Sequence, residues 1–513
     1  MATTKAKTVT KSKTTKKATT TTAKKTVSKK QSALSVLHVS PEFSPLAKIG
    51  GLADVAGTLP LAELDLGVDA RAMLPAWPGV KEKVEKLGKL EKKPLGTLYI
   101  ALNARVCEIT VLKATLKGLT IYLLDNDEFF SNKAVYPTEN NARTVEPFVL
   151  MSYAAFELPK VTGFEPQILH VHDWPSAFVP CALQYHKHYR NLRDKYKVVF
   201  TIHNMAHQGL FDPNCLAEWG FDWSSFAWGE DDTLEYWGLV NLMKGALNYS
   251  DAITTVSPTY RQEIATSQYG YGLEGVINKN AHKVFGILNG IDYSVWGSST
   301  DKTIPASFNT RSFKGKEKCK QAICEQFGFK DTTLPLAVYI GRLVDQKGVG
   351  LLAEALKQTN GVMNTLIIGS GNDYYQGLIS DYVDNTAFAQ KFFGFNEELA
   401  HVAYAGADML LMPSLFEPCG LSQIIACSYA TLPLVRATGG LRDTVIDARE
   451  KNGNGFVFYN VCANELADTI RRAAETYKDK ATWKKLMLNA KNADFSWKVS
   501  ATQYTDLYKN LLK

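Results

Sequence analysis

The chain has 513 residues, of which 45% are hydrophobic and 21% are charged, an ordinary balance for a globular protein. No run approaches the roughly 18 consecutive apolar residues that a membrane helix needs. The composition therefore excludes a membrane-spanning protein, a collagen-like fibre and a wholly disordered chain. The length allows about three domains, or two large ones.

The net charge of +7 originates in the N-terminal segment. Residues 1–30 contain 10 Lys, 11 Thr and no acidic residue, and the remainder has 48 basic against 51 acidic residues. We expect a disordered Lys/Thr-rich tail over residues 1–32, because such a segment cannot bury a core and its charges repel. A transit-type segment would be richer in Arg and Ser. Weak attraction to nucleic acid would rest on the tail alone, since the body is mildly acidic.

The cysteines indicate a reducing compartment. There are eight, none in a CxxC pair, which favours free thiols in a cytosol-like environment. The N-terminus has no apolar signal core, which argues against secretion. We expect a cytoplasmic protein, with a plastid left open by the unexplained tail.

Short runs rich in β-branched residues predict two series of buried parallel strands. The first series covers residues 35–39, 168–171, 198–202 and 252–256, and the second 336–340, 365–368, 409–412 and 432–435. A polar segment without periodicity, 298–313, separates them. The sequence thus predicts an α/β fold with two doubly wound domains, residues 33–297 and 298–494. Such folds bind ligands at the carboxyl ends of their strands, so we expect the site between the domains.

A glycine-containing loop follows the first predicted strand. Gly50 and Gly51 allow backbone amides to approach an anion, and a helix starting near Leu52 would direct its positive end there. Lys48 adds a full charge. The pattern is neither GxGxxG nor GxxxxGK[ST], so it predicts neither a nicotinamide site nor a P-loop. A simple turn remains the alternative.

A pair of cations follows the strand at 336–340. Arg342 and Lys347 at the carboxyl end of a parallel strand suit a diphosphate. The alternative is a pair of solvated loop charges, which the position at the functional edge of the sheet disfavours.

A carboxylate follows the strand at 409–412. Glu417 could accept hydrogen bonds from sugar hydroxyls, or it could bind local backbone amides. Cys419 is expected to be packed rather than nucleophilic, although a helix N-terminus there would lower its pKa.

Two histidines share one face of the strand at 168–171. The HxH alternation of His170 and His172 is compatible with a metal, but no third His or Cys stands nearby in the sequence at ligand spacing. A strand-end histidine bonded to a neighbour is the commoner case, and His203 ends another strand in the same way. Cys319 and Cys324 form a poor metal site. We therefore expect no metal.

Together, in this order, these motifs resemble the bacterial and plant-plastid type of glycogen/starch synthase, family GT5. The resemblance runs from about residue 34 to the C-terminus, nearly the whole chain except the tail. Its most specific parts lie at residues 48–51, 170–174, 287–292, 342–348, 416–423, 438–441 and 495–497.

The resemblance implies two Rossmann-like domains of the GT-B type facing a cleft, with residues 495–513 forming a helix that returns to the N-terminal domain. It implies a retaining transfer of glucose from ADP-glucose to the non-reducing 4-hydroxyl of an α-1,4-glucan such as glycogen or a malto-oligosaccharide. It implies no metal and no cofactor. Membrane partners are not expected, and the size of any homo-oligomer is left open.

The resemblance also implies roles for individual residues. Arg342, Lys347 and the amides of Gly50 and Gly51 offset the charge of the leaving diphosphate, and Lys48 helps to hold the donor. His172, Asn289 and Glu417 contact glucosyl hydroxyls, and an aromatic ring stacks on the base. The catalytic set is His172, Arg342, Lys347 and Glu417; the substrate-binding set is Lys48, Gly50, Gly51, Glu139, Asn289, Gly394, Phe395, Cys419, Gly420 and Leu421.

The sequence departs from the family pattern near the expected sugar and acceptor regions. His207 and Ile425 stand where an aromatic residue is common, Tyr271 where an acid is usual, and Glu139 where Asp is usual. Acceptor preference is therefore open.

Three alternatives remain at this stage. The first is the same fold with UDP-glucose or another acceptor. The second is a non-catalytic glucan-binding scaffold, which the retained charged residues disfavour. The third is a glucan phosphorylase, which would need pyridoxal phosphate and a longer chain.

Overall fold

The structure is a computed structural model that describes residues 34–102, 105–131, 133–139 and 141–513. The tail expected over residues 1–32 lies outside the described residues. Residues 34–513 form one compact unit.

The N-terminal half is built on a large sheet whose centre is parallel. Its strands, with those of a small antiparallel sheet, are β1 (Ser35–Val39), β2 (Asp69–Pro75), β3 (Lys89–Leu90), β4 (Gly96–Leu102), β5 (Arg105–Leu116), β6 (Leu119–Asp125), β7 (Ile168–His172), β8 (Lys197–Ile202), β9 (Leu210–Phe211), β10 (Glu235–Tyr236), β11 (Leu239–Asn241), β12 (Ala252–Thr255) and β13 (Val284–Gly286). The order in the large sheet is β13-β12-β8-β7-β1-β2-β6-β5-β3, with β4 added beside β5, and β10-β11-β9 form the small sheet.

The C-terminal half is a parallel sheet of the Rossmann type. Its strands are β14 (Leu336–Ile340), β15 (Asn364–Gly369), β16 (Ala389–Phe393), β17 (Met409–Met412), β18 (Leu432–Arg436) and β19 (Phe456–Phe458). They lie in the order β16-β15-β14-β17-β18-β19. The order reverses between β14 and β17, and loops that follow these two strands carry the cations and the carboxylate discussed below.

Helices connect the strands and cover both sheets. In the N-terminal half they are α1 (Gly51–Asp65), α2 (Val80–Leu87), α3 (Glu146–Glu157), α4 (Pro159–Thr162), α5 (Asp173–Ser176), α6 (Phe178–Tyr185), α7 (Cys215–Trp219), α8 (Leu242–Tyr249), α9 (Pro258–Glu263) and α10 (Glu274–Lys279). In the C-terminal half they are α11 (Lys314–Phe327), α12 (Val349–Gln358), α13 (Asp373–Val383), α14 (Glu397–Gly406), α15 (Ser422–Ser428), α16 (Gly439–Thr444), α17 (Ala463–Lys478), α18 (Lys480–Asn492) and α19 (Trp497–Leu511). Short 3₁₀ or π turns lie at Asp127–Ser131, Tyr189–Leu192, Trp223–Ser225, Ala281–Lys283 and Asp345–Lys347. In the parts of the chain described, no helix is both long and apolar enough to traverse a lipid bilayer.

The last helix packs on the N-terminal sheet rather than on its own domain. Tyr504 and Tyr508 of α19 are fully buried in one apolar cluster with Val36 of β1 and Ile168 of β7. The chain crosses at residues 495–497, where the Phe495 carbonyl accepts a hydrogen bond from the amide of residue 291 at 2.9 Å. The C-terminal end of the chain therefore stabilises the N-terminal sheet.

The expected α/β fold with two doubly wound domains is confirmed. The parallel strands of both series are present, and α1 begins at Gly51, one residue before the predicted start. The antiparallel extension β3–β6 is an addition that the sequence analysis did not anticipate.

Candidate active site

Lys347 and Glu417 meet at the carboxyl edge of the C-terminal sheet. Lys347 Nζ lies 2.5 Å from Glu417 Oε2, and Ser414 Oγ donates to the same carboxylate oxygen at 3.1 Å. Gly348, at φ +66°, makes this approach possible: a Cβ there would lie 2.0 Å from the Pro413 carbonyl oxygen. Only glycine fits between the two loops, so the turn that carries Lys347 is held directly against the loop that carries Glu417.

Arg342 and Glu417 both act on the buried Tyr339, and Arg342 also acts on His207 of the N-terminal domain. The Tyr339 hydroxyl donates to the Arg342 carbonyl at 2.8 Å. Burial, followed by the charge of Glu417, raises the pKa of Tyr339 well above its ordinary value. Burial, followed by the charge of Arg342, lowers the pKa of His207 in the N-terminal domain. Arg342 therefore lies within electrostatic reach of Tyr339, which Glu417 also affects, and of His207 in the opposing domain.

The glycine loop at 48–51 is organised by a residue that the sequence analysis missed. Glu42 Oε2 accepts hydrogen bonds from the amides of Ile49 at 2.7 Å and Gly50 at 2.8 Å, and Tyr136 donates to Glu42 Oε1 at 2.7 Å. The Gly50 amide, one of the predicted anion donors, is thus bonded to a carboxylate in this structure. Gly51 opens α1, where the helix dipole is positive.

Lys48 stands at the same helix N-terminus. Its Nζ lies 2.7 Å from Asp54 Oδ1, and about half of the Lys48 side chain is exposed. An exposed ion pair of this kind is weak, so Lys48 can exchange Asp54 for an anionic ligand at small cost.

His172 is fully buried. Its Nδ1 lies 3.1 Å from His203 Nε2, and its Nε2 has no hydrogen-bond partner among the described residues. Burial, followed by the neighbouring His170, lowers the pKa of His172 well below the ordinary value. His172 is therefore neutral at physiological pH, with one ring nitrogen available to a ligand.

A third histidine joins this cluster through the sheet. The register pairs His38 of β1 with His170 of β7, and nitrogens of His38, His170 and His172 lie within 4.8 Å of one another. His38 Nε2 contacts Glu63 Oε2 at 2.8 Å. Tyr508 bonds both His170 Nδ1 at 2.7 Å and Glu63 Oε1 at 2.9 Å. The sequence shows no third histidine near His170 and His172. The fold nevertheless supplies one, because it brings His38 to the cluster from over a hundred residues away.

Asn289 and Cys419 contact each other where the domains meet. The Asn289 backbone amide donates to Cys419 Sγ, and Asn289 Oδ1 is buried without a partner among the described residues. Burial raises the pKa of Cys419 to about 12. Cys419 is packed, as predicted, and its desolvation outweighs any lowering of the pKa by a nearby helix N-terminus. Gly420, at φ +73°, and Leu421, the N-cap of α15, continue this turn.

Direct hydrogen bonds join the two domains next to this turn. Asp443 accepts from Thr259 Oγ1 at 2.6 Å and from its amide at 2.8 Å. Glu263 Oε1 accepts from Thr438 Oγ1 and from the Gly439 amide, both at 2.9 Å. The segment 438–441 is thus held against the N-terminal domain.

Three predicted residues lie outside these contacts. Phe395 is 87% exposed and follows Gly394, whose amide donates to Gly369 O at 3.0 Å at the end of β15. Glu139 is exposed, and its Oε2 accepts from Asn141 Nδ2 at 3.4 Å. Among the described residues, no hydrogen bond or ion pair links Phe395 or Glu139 to the pair of Lys347 and Glu417.

Two Rossmann-like domains in contact, with cations and a buried carboxylate at the strand ends, define a two-domain glycosyltransferase. A family model described as the starch synthase catalytic domain matches residues 35–279, and one described as glycosyl transferases group 1 matches residues 323–490. The chain is similar to a glycogen synthase of Geotalea daltonii, 38% identical over 93% of this chain and 99% of the relative. It is likewise 38% identical to a glycogen synthase of Bacillus cereus, over 94% of this chain and all of the relative. The chain belongs to the glycogen/starch synthase family.

Solved structures agree. The catalytic domain of starch synthase IV from Arabidopsis thaliana, bound to ADP and acarbose, has a TM-score of 0.85 and 32% identity, covering 94% of this chain and 100% of that chain. Sucrose-phosphate synthase of Thermosynechococcus elongatus, at 18% identity and a TM-score of 0.57 over 93% of this chain and 99% of its own, shares the fold alone.

Proposed function

We propose that this enzyme transfers glucose from ADP-glucose to the non-reducing 4-hydroxyl of an α-1,4-glucan, with retention at the anomeric carbon. The observation that carries the proposal is the contact between Lys347 and Glu417 at 2.5 Å, where Lys347 follows the same strand β14 as Arg342. This part of the chain supplies two cations that could bind a diphosphate and a carboxylate that could accept hydrogen bonds from sugar hydroxyls. ADP and acarbose bound to the similar starch synthase IV support an adenine donor and an α-glucan acceptor.

The chain supplies the charge that a leaving diphosphate requires. Arg342 and Lys347 would bind the phosphates from the C-terminal domain, and Lys48 with the N-terminus of α1 would do so from the N-terminal domain. These groups stabilise the transition state more than the ground state, because negative charge grows on the diphosphate as the bond to glucose breaks. In this proposal the cations of the chain perform that task without a metal or a cofactor.

Two unpartnered buried atoms support a glucosyl-binding role for His172 and Asn289. His172 Nε2 and Asn289 Oδ1 have no partner among the described residues, and a buried polar atom left unpaired is costly. Sugar hydroxyls supply both donors and acceptors and would satisfy each atom. Glu417 would hold a further hydroxyl while it orients Lys347.

UDP-glucose is the second candidate donor, because the exposed ring of Phe395 can stack on either base. Glucose transfer to glycogen from labelled ADP-glucose and UDP-glucose, measured in parallel, separates the two. The proposal expects preference for ADP-glucose and new α-1,4 linkages by NMR. Preference for UDP-glucose overturns the donor, β linkages overturn retention, and binding of glycogen without transfer from either donor indicates a non-catalytic glucan binder.

A further inference from the structure

An exposed group of tryptophans lies in the segment that precedes α8. Trp237, Trp228 and Trp223 are 86%, 72% and 57% exposed. Trp228 lies beside the hairpin that carries Trp237, because the far edge of the Trp228 indole is 3.6 Å from where a Cβ on Gly238 would stand. We call Trp228 and Trp237 the tryptophan platform. Large aromatic rings that gain so little burial do not stabilise the fold in proportion to their size.

The backbone makes Trp237 harder to explain as a structural residue. Trp237 and Gly238 link β10 to β11 with φ values of +54° and +83°. A two-residue hairpin with both φ positive favours Asn-Gly or Asp-Gly, and a bulky residue at the first position is strained. The left-handed backbone at Trp237 is therefore destabilising, and burial of the side chain does not compensate for it. Strained backbone of this kind clusters at ligand sites.

The platform is continuous with the active site. The hydroxyl of Tyr236, next to Trp237, donates to the Tyr271 carbonyl at 3.0 Å. The Tyr271 ring packs edge-on against Phe416 with centroids 6.4 Å apart, and Phe416 precedes Glu417. The Tyr236 hydroxyl also takes a hydrogen bond from the Trp237 side chain. An unbroken series of contacts therefore runs from the platform to the catalytic loop.

Polar groups line a cavity in the same segment of the chain. The cavity has a volume of about 530 Å³, and its lining includes Glu230, Asp232 and Lys279 together with Ala227, the residue before Trp228. Flat rings that bind the apolar face of a sugar, with carboxylates and amides that bind its hydroxyls, form the usual composition of a carbohydrate-binding surface.

We infer that the tryptophan platform binds a glucan chain of the polymeric acceptor outside the transfer site. The inference rests on the proposed function, because it takes the acceptor to be an α-glucan. A polymer held at the platform keeps its other chain ends at high local concentration near Glu417. The platform should therefore matter for glycogen, which reaches both sites, and not for maltotriose, which fills the transfer site alone.

Trp237→Asn is the most informative variant, since Asn tolerates the left-handed backbone that strains Trp. We expect its thermal midpoint to equal or exceed that of the wild type. Its KM for glycogen should rise by roughly fivefold to tenfold, the loss typical of a truncated aromatic contact, with kcat and the kinetics for maltotriose unchanged. Trp237→Tyr should restore most of the affinity, and adding Trp228→Ala to Trp237→Asn should weaken glycogen binding further. Tyr99→Ala, at an exposed aromatic on β4, is the matched control.

The outcomes separate the platform from the proposed function. Normal transfer to maltotriose with an unchanged glycogen KM in the double variant overturns the platform and leaves the function standing. Absence of transfer in the wild type, together with glycogen retardation in affinity gels that Trp237→Asn abolishes, overturns the function and supports the platform. A dimer that Trp237→Asn converts to a monomer, with glycogen affinity unchanged, overturns the platform in favour of a second copy of the chain.

Discussion

Replacing Glu417 with Gln distinguishes a positioning carboxylate from a nucleophile. Gln keeps the size of the side chain and one carbonyl oxygen but removes the charge that holds Lys347. Glu417 Oε2 receives two hydrogen bonds, from Lys347 at 2.5 Å and from Ser414 at 3.1 Å. The side chain is buried, so water cannot replace what the substitution removes.

The magnitude follows from the loss of one charge-assisted contact. A hydrogen bond to a charged group contributes about 1.5–3 kcal/mol, and a tenfold change in rate corresponds to about 1.36 kcal/mol. Glu417→Gln should therefore lower kcat/KM by about 10-fold to 150-fold. Ser414→Ala, which keeps the ion pair between Lys347 and Glu417, should lower kcat/KM by a smaller factor.

The assay is the initial rate of labelled glucose transfer from ADP-glucose to glycogen, with thermal unfolding as a check on the fold. A loss above roughly 10⁴-fold in a folded Glu417→Gln protein, the scale on which removal of a nucleophile acts, would refute the positioning role. A loss below twofold would refute any role for the ion pair.

Three further predictions concern the frame of the site. Tyr508→Phe removes the hydroxyl that bonds Glu63 and His170 in the core. We expect the free energy of unfolding to fall by about 1–3 kcal/mol, seen as a lower thermal midpoint. An unchanged thermal midpoint would contradict a stabilising role for this hydrogen-bond network. Burial lowers the pKa of His203 to about 3, so the neutral residue contributes its full stability above pH 6.5 and progressively less as the pH falls toward 3. The thermal midpoint should therefore fall on acidification. If His203→Gln shows the same dependence of the thermal midpoint on pH as the wild type, His203 is not the group responsible. Gly348→Ala introduces a Cβ at φ +66° and should lower the free energy of unfolding by about 1–3 kcal/mol and also lower kcat. Wild-type activity in this variant would contradict the close packing of the two loops.

The central parallel strands could be predicted because burial on both faces leaves a continuous apolar run. Each of the eight predicted strands is found with both ends within one residue of the prediction. β1 and β7 are buried at every position, which is why their sequences carry a clear signal.

The strands that were missed have mixed surroundings. β5 alternates between buried and more exposed positions along an antiparallel pair, so its apolar residues do not form a run. β16 lies at the edge of its sheet and is mostly half-buried. Such strands are defined by their partners rather than by their own composition.

The position of Arg342, Lys347 and Glu417 at the carboxyl ends of β14 and β17 was predictable, because each residue follows a strand within a recognisable motif. The site was not predictable where a contact depends on the fold. Glu42 has no motif of its own, and its role follows from the chain path that returns the amides of 49 and 50 to its carboxylate. His38 joins the other histidines only through the register of β1 and β7.

The most direct test of the central claim is the rate of glucose transfer from ADP-glucose by Arg342→Ala. If Arg342 stabilises the departing diphosphate, kcat should fall by at least about 10²- to 10³-fold, the cost of removing one transition-state donor, while glycogen binding and the thermal midpoint stay at wild-type values. Near-normal turnover in this variant would contradict the account.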